Sequence, residues 1–355
     1  MTRPMLEQLR ITNFGCIKSA QVTLSPLHAL IGPNDSGKST VLRALRTLSL
    51  VAEGDVDALN NTQEAANLKL ALTANIGRGE TSFSTFSESK TWLVQLAPDA
   101  TKYESLNGGA AQELNPSTGS SRLLQTAQLA SFARAISGSQ VLRLEPDQLR
   151  LPSGLIPDGQ PLRFANEHGL GLPGLYDAVQ TRDFEAFRTI NEDLRRLFPA
   201  VKALRLKNTS TGKKSLGVEL SDGTPVSAEF MSEGLLYYLA YAALGHLEQT
   251  AMLLIEEPEN GLHPARIADV VRALREVSKK TQVIIATHSP LVINELEGHE
   301  VSVVTRTAEA GTQVQLLKDT PDFAERSKVY SPGELWLSYA DGKEEAALLK
   351  GGPRP

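Results

Sequence analysis

The chain opens on alternation. Leu6, Leu9, Ile11 and Phe14, then Val22, Leu24, Leu27, Leu30 and Ile31, are spaced as in two or three short strands, with a turn near 13–16. Over 41–50 the period becomes helical, with apolar residues at 41, 42, 45 and 48. Strands are predicted at 68–73 and 91–96. The stretch 107–121 is rich in Gly, Ser, Asn and Pro and reads as a flexible loop; 150–173, with four prolines and four glycines, reads mostly as loop. Residues 178–197 predict one amphipathic helix, with Phe184, Phe187, Ile190, Leu194 and Leu197 on one face. Strands follow at 204–206, 216–220 and 226–230, with a hairpin turn at Ser221-Asp222-Gly223. From Ser232 the order becomes α/β: a helix over 233–248, a buried strand over 252–255, a helix over 264–279, a buried strand over 283–286, and late strands at 301–305 and 314–317. There is no internal repeat and no long heptad run.

Composition narrows the class. The chain has 355 residues, enough for about two domains. With 41% hydrophobic and 22% charged residues it is neither disordered nor short of a core. Its one cysteine, Cys16, excludes an intrachain disulfide and fits a reducing compartment, so a cytoplasmic location is expected. Residues 1–9 have no apolar h-region, so no signal peptide is expected. The longest apolar run, 235–244, is half of the ~20 residues a bilayer span needs, so no membrane association is expected. Thirty-six Lys+Arg against 41 Asp+Glu leave a net charge of −5, which confines any nucleic-acid surface to a local patch.

Three segments carry chemistry. Gly32-Pro33-Asn34-Asp35-Ser36-Gly37-Lys38-Ser39-Thr40 satisfies G-x-x-x-x-G-K-[ST] between an apolar strand and a helix. Glycines let backbone N–H groups curl round phosphates, and the helix directs its positive end at them. Lys38 neutralises phosphate charge and Ser39 ligates Mg²⁺. Residues 252–259 form a buried strand ending in Glu256-Glu257-Pro258-Glu259. Beside a phosphate cradle, Glu256 can serve the Mg²⁺ shell and Glu257 can orient the attacking water; adjacent strand residues face opposite ways. Without the cradle these carboxylates read as a solvated turn. Residues 283–290 repeat the design and end in Thr287-His288-Ser289-Pro290. His288 can hydrogen-bond a γ-phosphate, although a lone histidine at a strand end is more often structural. His28, His168 and His246 form no cluster, and no metal site is assigned to them.

These motifs, in this order, resemble the ABC-type ATPase heads of the SMC, RecF and OLD group. Ile11-Thr12-Asn13-Phe14 followed by 32–40 looks like that group's first strand and Walker A. Met231-Ser232-Glu233-Gly234 looks like its shortened signature, 256–264 like Walker B running into the D-loop with Asn260, and 287–290 like the switch histidine. The resemblance covers 5–50 and 200–305 well and the middle poorly. It implies an α/β, ABC-type P-loop NTPase head with an N-terminal antiparallel β subdomain and a small inserted α/β lobe. The head would comprise 1–50 and 200–320, the lobe 51–199 and a C-terminal tail 321–355. It also implies ATP and Mg²⁺, an ATP-binding set that includes Asn13 and Phe14, and a homodimer formed on ATP binding. Ser232, Glu233 and Gly234 of one copy would meet the γ-phosphate held by the other.

Some features depart from the group. Walker B ends in Glu256 where Asp is common, and Gln63 is only a weak match for the Q-loop glutamine. The short signature argues against a transporter subunit. About 65 residues follow His288, without a convincing Asp-x-Asp, so a Toprim nuclease domain is not expected. A nuclease or toxin in trans, in anti-phage defence or DNA maintenance, is the implied effector. A nucleotide-gated scaffold with little turnover is the alternative. Between Arg195 and Val218 lie seven basic residues and no acid; this Arg195–Lys214 run is a candidate DNA contact or a solvated hairpin surface. The aromatic tail 330–339 either packs on the head or offers a subunit contact, and 351–355 are expected to be disordered.

Overall fold

The computed structural model describes residues 5–59, 68–81, 84–96, 102–107, 109–110, 112–113, 135–210, 212–248, 250–307 and 311–339. The chain runs β1 (Met5–Phe14), β2 (Ile17–Thr23), β3 (Leu27–Ile31), α1 (Lys38–Glu53), β4 (Leu68–Thr81), β5 (Ser84–Leu96), β6 (Lys102–Leu106), β7 (Gln112–Glu113) and β8 (Gln140–Leu142). Then come α2 (Pro146–Arg150), β9 (Ser153–Gly154), α3 (Leu172–Arg182), α4 (Phe184–Leu197), β10 (Val201–Ser210), β11 (Lys213–Leu220), β12 (Pro225–Ser227) and α5 (Glu233–Ala243). The rest is β13 (Met252–Glu256), α6 (Pro264–Ser278), β14 (Gln282–Thr287), α7 (Pro290–Asn294), β15 (Val301–Thr307), β16 (Gly311–Leu316), α8 (Phe323–Arg326) and α9 (Pro332–Tyr339). Two units emerge: Met1–Val141 with Thr250–Glu257 and Ser278–Pro355, and Leu142–Gln249 with Pro258–Val277. Residues 51–141 thus fall in the first and 142–199 in the second.

The first unit holds two sheets. One is antiparallel, in the order β2-β1-β4-β5-β6-β7. The other, β16-β15-β3-β14-β13-β8, has a parallel centre: β13 with β14, β14 with β3, and β3 with β15. Its central strands are mostly apolar, as strands covered on both faces tend to be; Leu254, Ile255, Ile284, Ile285, Ala29 and Leu30 are buried. Helix α1 adds Val41, Leu42, Leu45 and Leu48 to the same core and ends at Gly54, which is left-handed (φ 106°) and donates its N–H to the carbonyls of Leu50 and Val51.

Two polar side chains inside this unit are fully matched. Gln282 donates to the carbonyls of Leu6 and Ser25 and accepts from the N–H of Leu6, fastening the start of β14 to β1. His28 is wholly buried, with Nδ1 3.0 Å from Ser25 Oγ and Nε2 2.9 Å from Ser302 Oγ. Burial pushes its pKa down to about 3, the nearby Glu300 opposing only in part, so the ring is neutral.

The second unit pairs β10, β11 and β12, with β9 on β11. Tyr176 donates its hydroxyl to the Leu239 carbonyl at 2.8 Å and meets Phe187 edge-on, at 6.5 Å between ring centres. Asn191 accepts from the Leu204 N–H and donates to the Phe187 carbonyl, joining α4 to β10.

Several elements differ from expectation. The single helix over 178–197 is two helices, because Asp183 leaves helical geometry and its carboxylate accepts from the Ala186 N–H at 3.0 Å, capping α4. The helix expected to reach 248 ends at Ala243 and tightens into a 3₁₀ turn, Leu244–His246, at Gly245. The strand expected over 226–230 stops at Ser227, and Ala228–Phe230 form a 3₁₀ turn before Ser232. Strands β4 and β5 continue well past 73 and begin well before 91, pairing Thr81 with Ser84. That extension is polar, so hydrophobic alternation could not disclose it. Gln63 and 351–355 lie outside the described residues, as does most of 107–121.

Candidate functional site

Parallel register gathers three motifs. Ile31 pairs with Thr287 and Ala286 with Glu256, so β3, β14 and β13 end side by side. Gly32–Thr40 leave the first strand, His288 the second and Glu257 the third. Loops at the carboxyl ends of adjacent parallel strands are where α/β sheets bind ligands.

The Gly32–Thr40 segment has the features an anion site needs. Gly37, left-handed at φ 112°, leads into α1, whose N-terminus has no side-chain cap and no acidic residue in its first turn. Its first-turn amides and positive end suit an anion. Lys38, 8% exposed, donates from Nζ to the carbonyls of Gly32 and Pro33, 2.7 Å each, and so lies folded over the loop. Asp35 is also left-handed, at φ 64°. Ser36 is buried, and its hydroxyl has no hydrogen-bond partner. An uncapped helix start, a buried lysine and an unmatched buried hydroxyl together fit nucleotide phosphates.

The β1–β2 turn lies against this segment. Asn13 takes the left-handed φ of 52° that the turn requires. Phe14 is 4% exposed and belongs to the core. Cys16 Sγ is 3.2 Å from Thr40 Oγ1, and a Cβ on Gly15 would stand 2.9 Å from Thr40 Cγ2.

Glu256 closes β13, but Glu257 does not continue the pleat. It turns left-handed (φ 48°), and its N–H donates to the Ala286 carbonyl at 2.8 Å. This turn, rather than strand alternation, separates the two carboxylates. Glu257 Oε1 lies 3.4 Å from His288 Nδ1, and both side chains are about half exposed. The next turn is tied by the Ser289 N–H donating to Thr287 Oγ1. Among the described residues no group of three or more His, Cys, Asp or Glu is arranged to hold a metal. Ser39 lies in the first turn of α1 and Glu256 closes β13.

Ser232, Glu233, Gly234 and Asn260 belong to the second unit. Ser232 caps α5, its hydroxyl accepting from the Leu235 N–H at 3.4 Å. The turn after Asn260 packs on this helix: a Cβ on Gly234 would meet the Gly261 carbonyl at 3.1 Å, and Gly261 itself (φ 67°) lies against the Tyr237 ring. Signature and D-loop segments thus share one surface within this unit. Two features beside the signature were not legible as motifs: Phe230, 76% exposed, and Arg150, which reaches the Met231 carbonyl at 3.4 Å.

The basic run 195–214 is largely neutralised within its own unit. Lys202 and Arg205 both pair with Glu219, lowering that carboxyl's pKa. Lys214 pairs with Asp177 and Arg196 with Asp193. Arg195, Lys207 and Lys213 remain as exposed cations. The aromatic tail docks within the first unit: α9 packs on α7, burying Leu335 and Trp336, and the Gly333 N–H donates to Asn294 Oδ1 at 2.7 Å.

Comparison with known proteins bears on the family and the fold. A family model described as "AAA domain, putative AbiEii toxin, Type IV TA system" matches residues 105–294, more than half of the chain, and one described as "AAA ATPase domain" matches 5–107. The chain is 23% identical over 343 residues to the Old nuclease of Escherichia phage P2, covering 81% of this chain and 57% of that protein. It is 46% identical over 41 residues to the OLD nuclease of Thermus scotoductus, covering 12% and 8%. It thus spans less than two thirds of these relatives' length. Among solved structures it resembles the SMC head bound to the C-winged helix domain of ScpA, with a TM-score of 0.58, 19% identity and coverage of 88% and 97%. It also resembles the Pyrococcus furiosus Smc head domain with an extended coiled coil, bound to the C-terminal domain of ScpA, with a TM-score of 0.53, 16% identity and coverage of 92% and 100%. The fold is that of an ABC-type, P-loop ATPase head, and the expected resemblance, to SMC heads in fold and to OLD proteins in sequence, is borne out.

Proposed function

We propose that this chain, which belongs to the AAA-domain family matched over residues 105–294, binds and hydrolyses ATP with Mg²⁺ and does so as a nucleotide-sandwich homodimer. The observation that carries the reading is the register that ends β3, β14 and β13 together, uniting the cradle, His288 and the Glu256-Glu257 pair.

The chemistry follows from these side chains. Lys38 is placed to exchange the Gly32 and Pro33 carbonyls for phosphate oxygens, with the amides at the start of α1 supplying further donors. Mg²⁺, held by Ser39 and Glu256, would neutralise phosphate charge when bound. Glu257 orients the attacking water and accepts its proton at a carboxylate oxygen; His288, within reach of Glu257, contacts the γ-phosphate and registers its loss. In the dimer, Ser232 and Gly234 of one copy close over the γ-phosphate held by the other, and two symmetric contacts close a two-fold pair. Exposed Phe230, two residues before Ser232, supports an interface there.

The output we assign is gating of a nuclease or toxin supplied in trans, or a DNA transaction, in anti-phage defence or DNA maintenance. A family description that names a toxin and relatives named nucleases support an effector of this kind. A cytoplasmic setting fits the single cysteine, and among the described residues no helix is long and apolar enough to cross a membrane. Phosphate release by the purified chain, alone and with DNA, tests the enzymatic claim, with Lys38→Ala as control. Turnover that Lys38→Ala abolishes is expected. ATP binding without turnover under either condition would favour a nucleotide-gated scaffold instead.

A further inference from the structure

The wall behind the cradle comes from a part of the chain that carries none of the motifs. The β15–β16 hairpin runs beside β3, and its backbone closes on the first glycine of the loop: a Cβ on Gly32 would lie 2.0 Å from the Val304 carbonyl oxygen. Thr312, early in β16 and 1% exposed, donates its hydroxyl to the Ser36 carbonyl at 3.0 Å. The same side chain borders Gly37, with Cγ2 and Oγ1 each 3.1 Å from where a Cβ there would stand.

The bonded carbonyl is one half of the Ser36–Gly37 peptide. In a trans peptide the C=O and the following N–H point in opposite directions. A Ser36 carbonyl held toward Thr312 therefore turns the Gly37 N–H to the opposite side, away from the hairpin. Gly37 does not enforce this by itself, because a glycine tolerates both orientations of the peptide before it. Rotated the other way, the same peptide would withdraw a donor from a bound phosphate and present a carbonyl dipole to it. We propose that Thr312 is a positioning residue for nucleotide binding, its hydroxyl selecting the peptide orientation that keeps the Gly37 N–H available to phosphate. This rests on reading the cradle as a nucleotide site. It makes the late β-hairpin part of that site, through a residue 276 positions from the loop it orients.

The test is titration of the full-length chain with Mg·ATP, by calorimetry, for wild type, Thr312→Val, Thr312→Ser and Lys38→Ala, beside thermal unfolding without nucleotide. Valine keeps the branched shape and removes the donor; serine keeps the donor. Thr312→Val is expected to bind Mg·ATP about tenfold more weakly, the effect of one hydrogen bond lost with its acceptor left buried, and Thr312→Ser within about twofold of wild type. A residue that served folding alone would lower the unfolding midpoint of Thr312→Val and leave its affinity unchanged. That outcome would overturn the inference, as would a serine variant as weak as valine. Thr312→Ala, with less bulk beside Gly37, takes the place of valine if that variant does not fold. Failure of the wild type to bind, or equal binding by Lys38→Ala, would instead overturn the nucleotide-site reading itself.

Discussion

His288 Nδ1 and Glu257 Oε1 stand 3.4 Å apart, each just past the end of a parallel strand, His288 after β14 and Glu257 after β13. Their proximity depends on the left-handed turn at Glu257, which carries that carboxylate off the line of its strand. The carboxylate proposed to accept a proton and the imidazole proposed to contact phosphate are thereby neighbours.

Glu257→Gln keeps size and one oxygen but cannot take a proton. Single-turnover hydrolysis should slow by at least ~100-fold, within the usual range for a general base, while Mg·ATP affinity stays near wild type. Glu256→Gln should instead weaken the Mg²⁺ dependence of binding. A swapped pattern would reverse the two assignments.

Gly32→Ala should be far more damaging than its size suggests. The new methyl would stand 2.0 Å from the Val304 carbonyl oxygen, in a backbone contact with no flexible end to yield. Equilibrium denaturation should show a loss of at least about 3 kcal/mol, beyond ordinary overpacking. A loss under 1 kcal/mol would mean that the hairpin does not close on the loop.

His28 makes stability pH-dependent in one direction. Its pKa is near 6.5 in the unfolded chain and about 3 in the fold, so the unfolded state binds the proton more readily. The contribution is present in full above pH 6.5 and is lost as pH falls toward 3. Over that window the wild type should lose up to about 5 kcal/mol more than His28→Gln, from the pKa difference. Parallel denaturation curves for the two proteins would show that His28 titrates normally.

Phe230→Ser should leave ATP affinity unchanged and weaken ATP-dependent self-association, on the order of tenfold for an aromatic interface anchor. Unaltered association by light scattering would place Phe230 outside the interface.

The basic run gives a selective expectation. Lys207→Glu with Lys213→Glu should flatten the salt dependence of duplex DNA binding by about 0.9 per lost phosphate contact. Lys202→Glu should change it less, since Lys202 already pairs with Glu219. Absence of DNA binding by the wild type at low salt would leave the run as ordinary surface.

What could be read in advance was contiguous. Gly32–Thr40 spells out its own geometry, and the buried runs 253–255 and 283–286 announce strands that end in polar groups. The single helix over 178–197 misled because Phe184 to Leu197 keep a helical spacing up to the very residue, Asp183, whose carboxylate caps a new start. The polar halves of β4 and β5 are held by backbone pairing, which leaves no hydrophobic trace. Thr312 was invisible for another reason: its role depends on a partner 276 residues away, and no local pattern encodes such a contact. The ion pairs that neutralise much of the basic run, Asp177 with Lys214 among them, are hidden likewise.

Sedimentation of Glu257→Gln in Mg·ATP tests the central claim most directly, because blocked turnover should trap the closed state. The account predicts a species of twice the 38.4 kDa protomer mass, reverting to the protomer in ADP and absent when Ser232→Arg is added. A protein that binds ATP yet sediments identically with ATP, with ADP and with neither would contradict it.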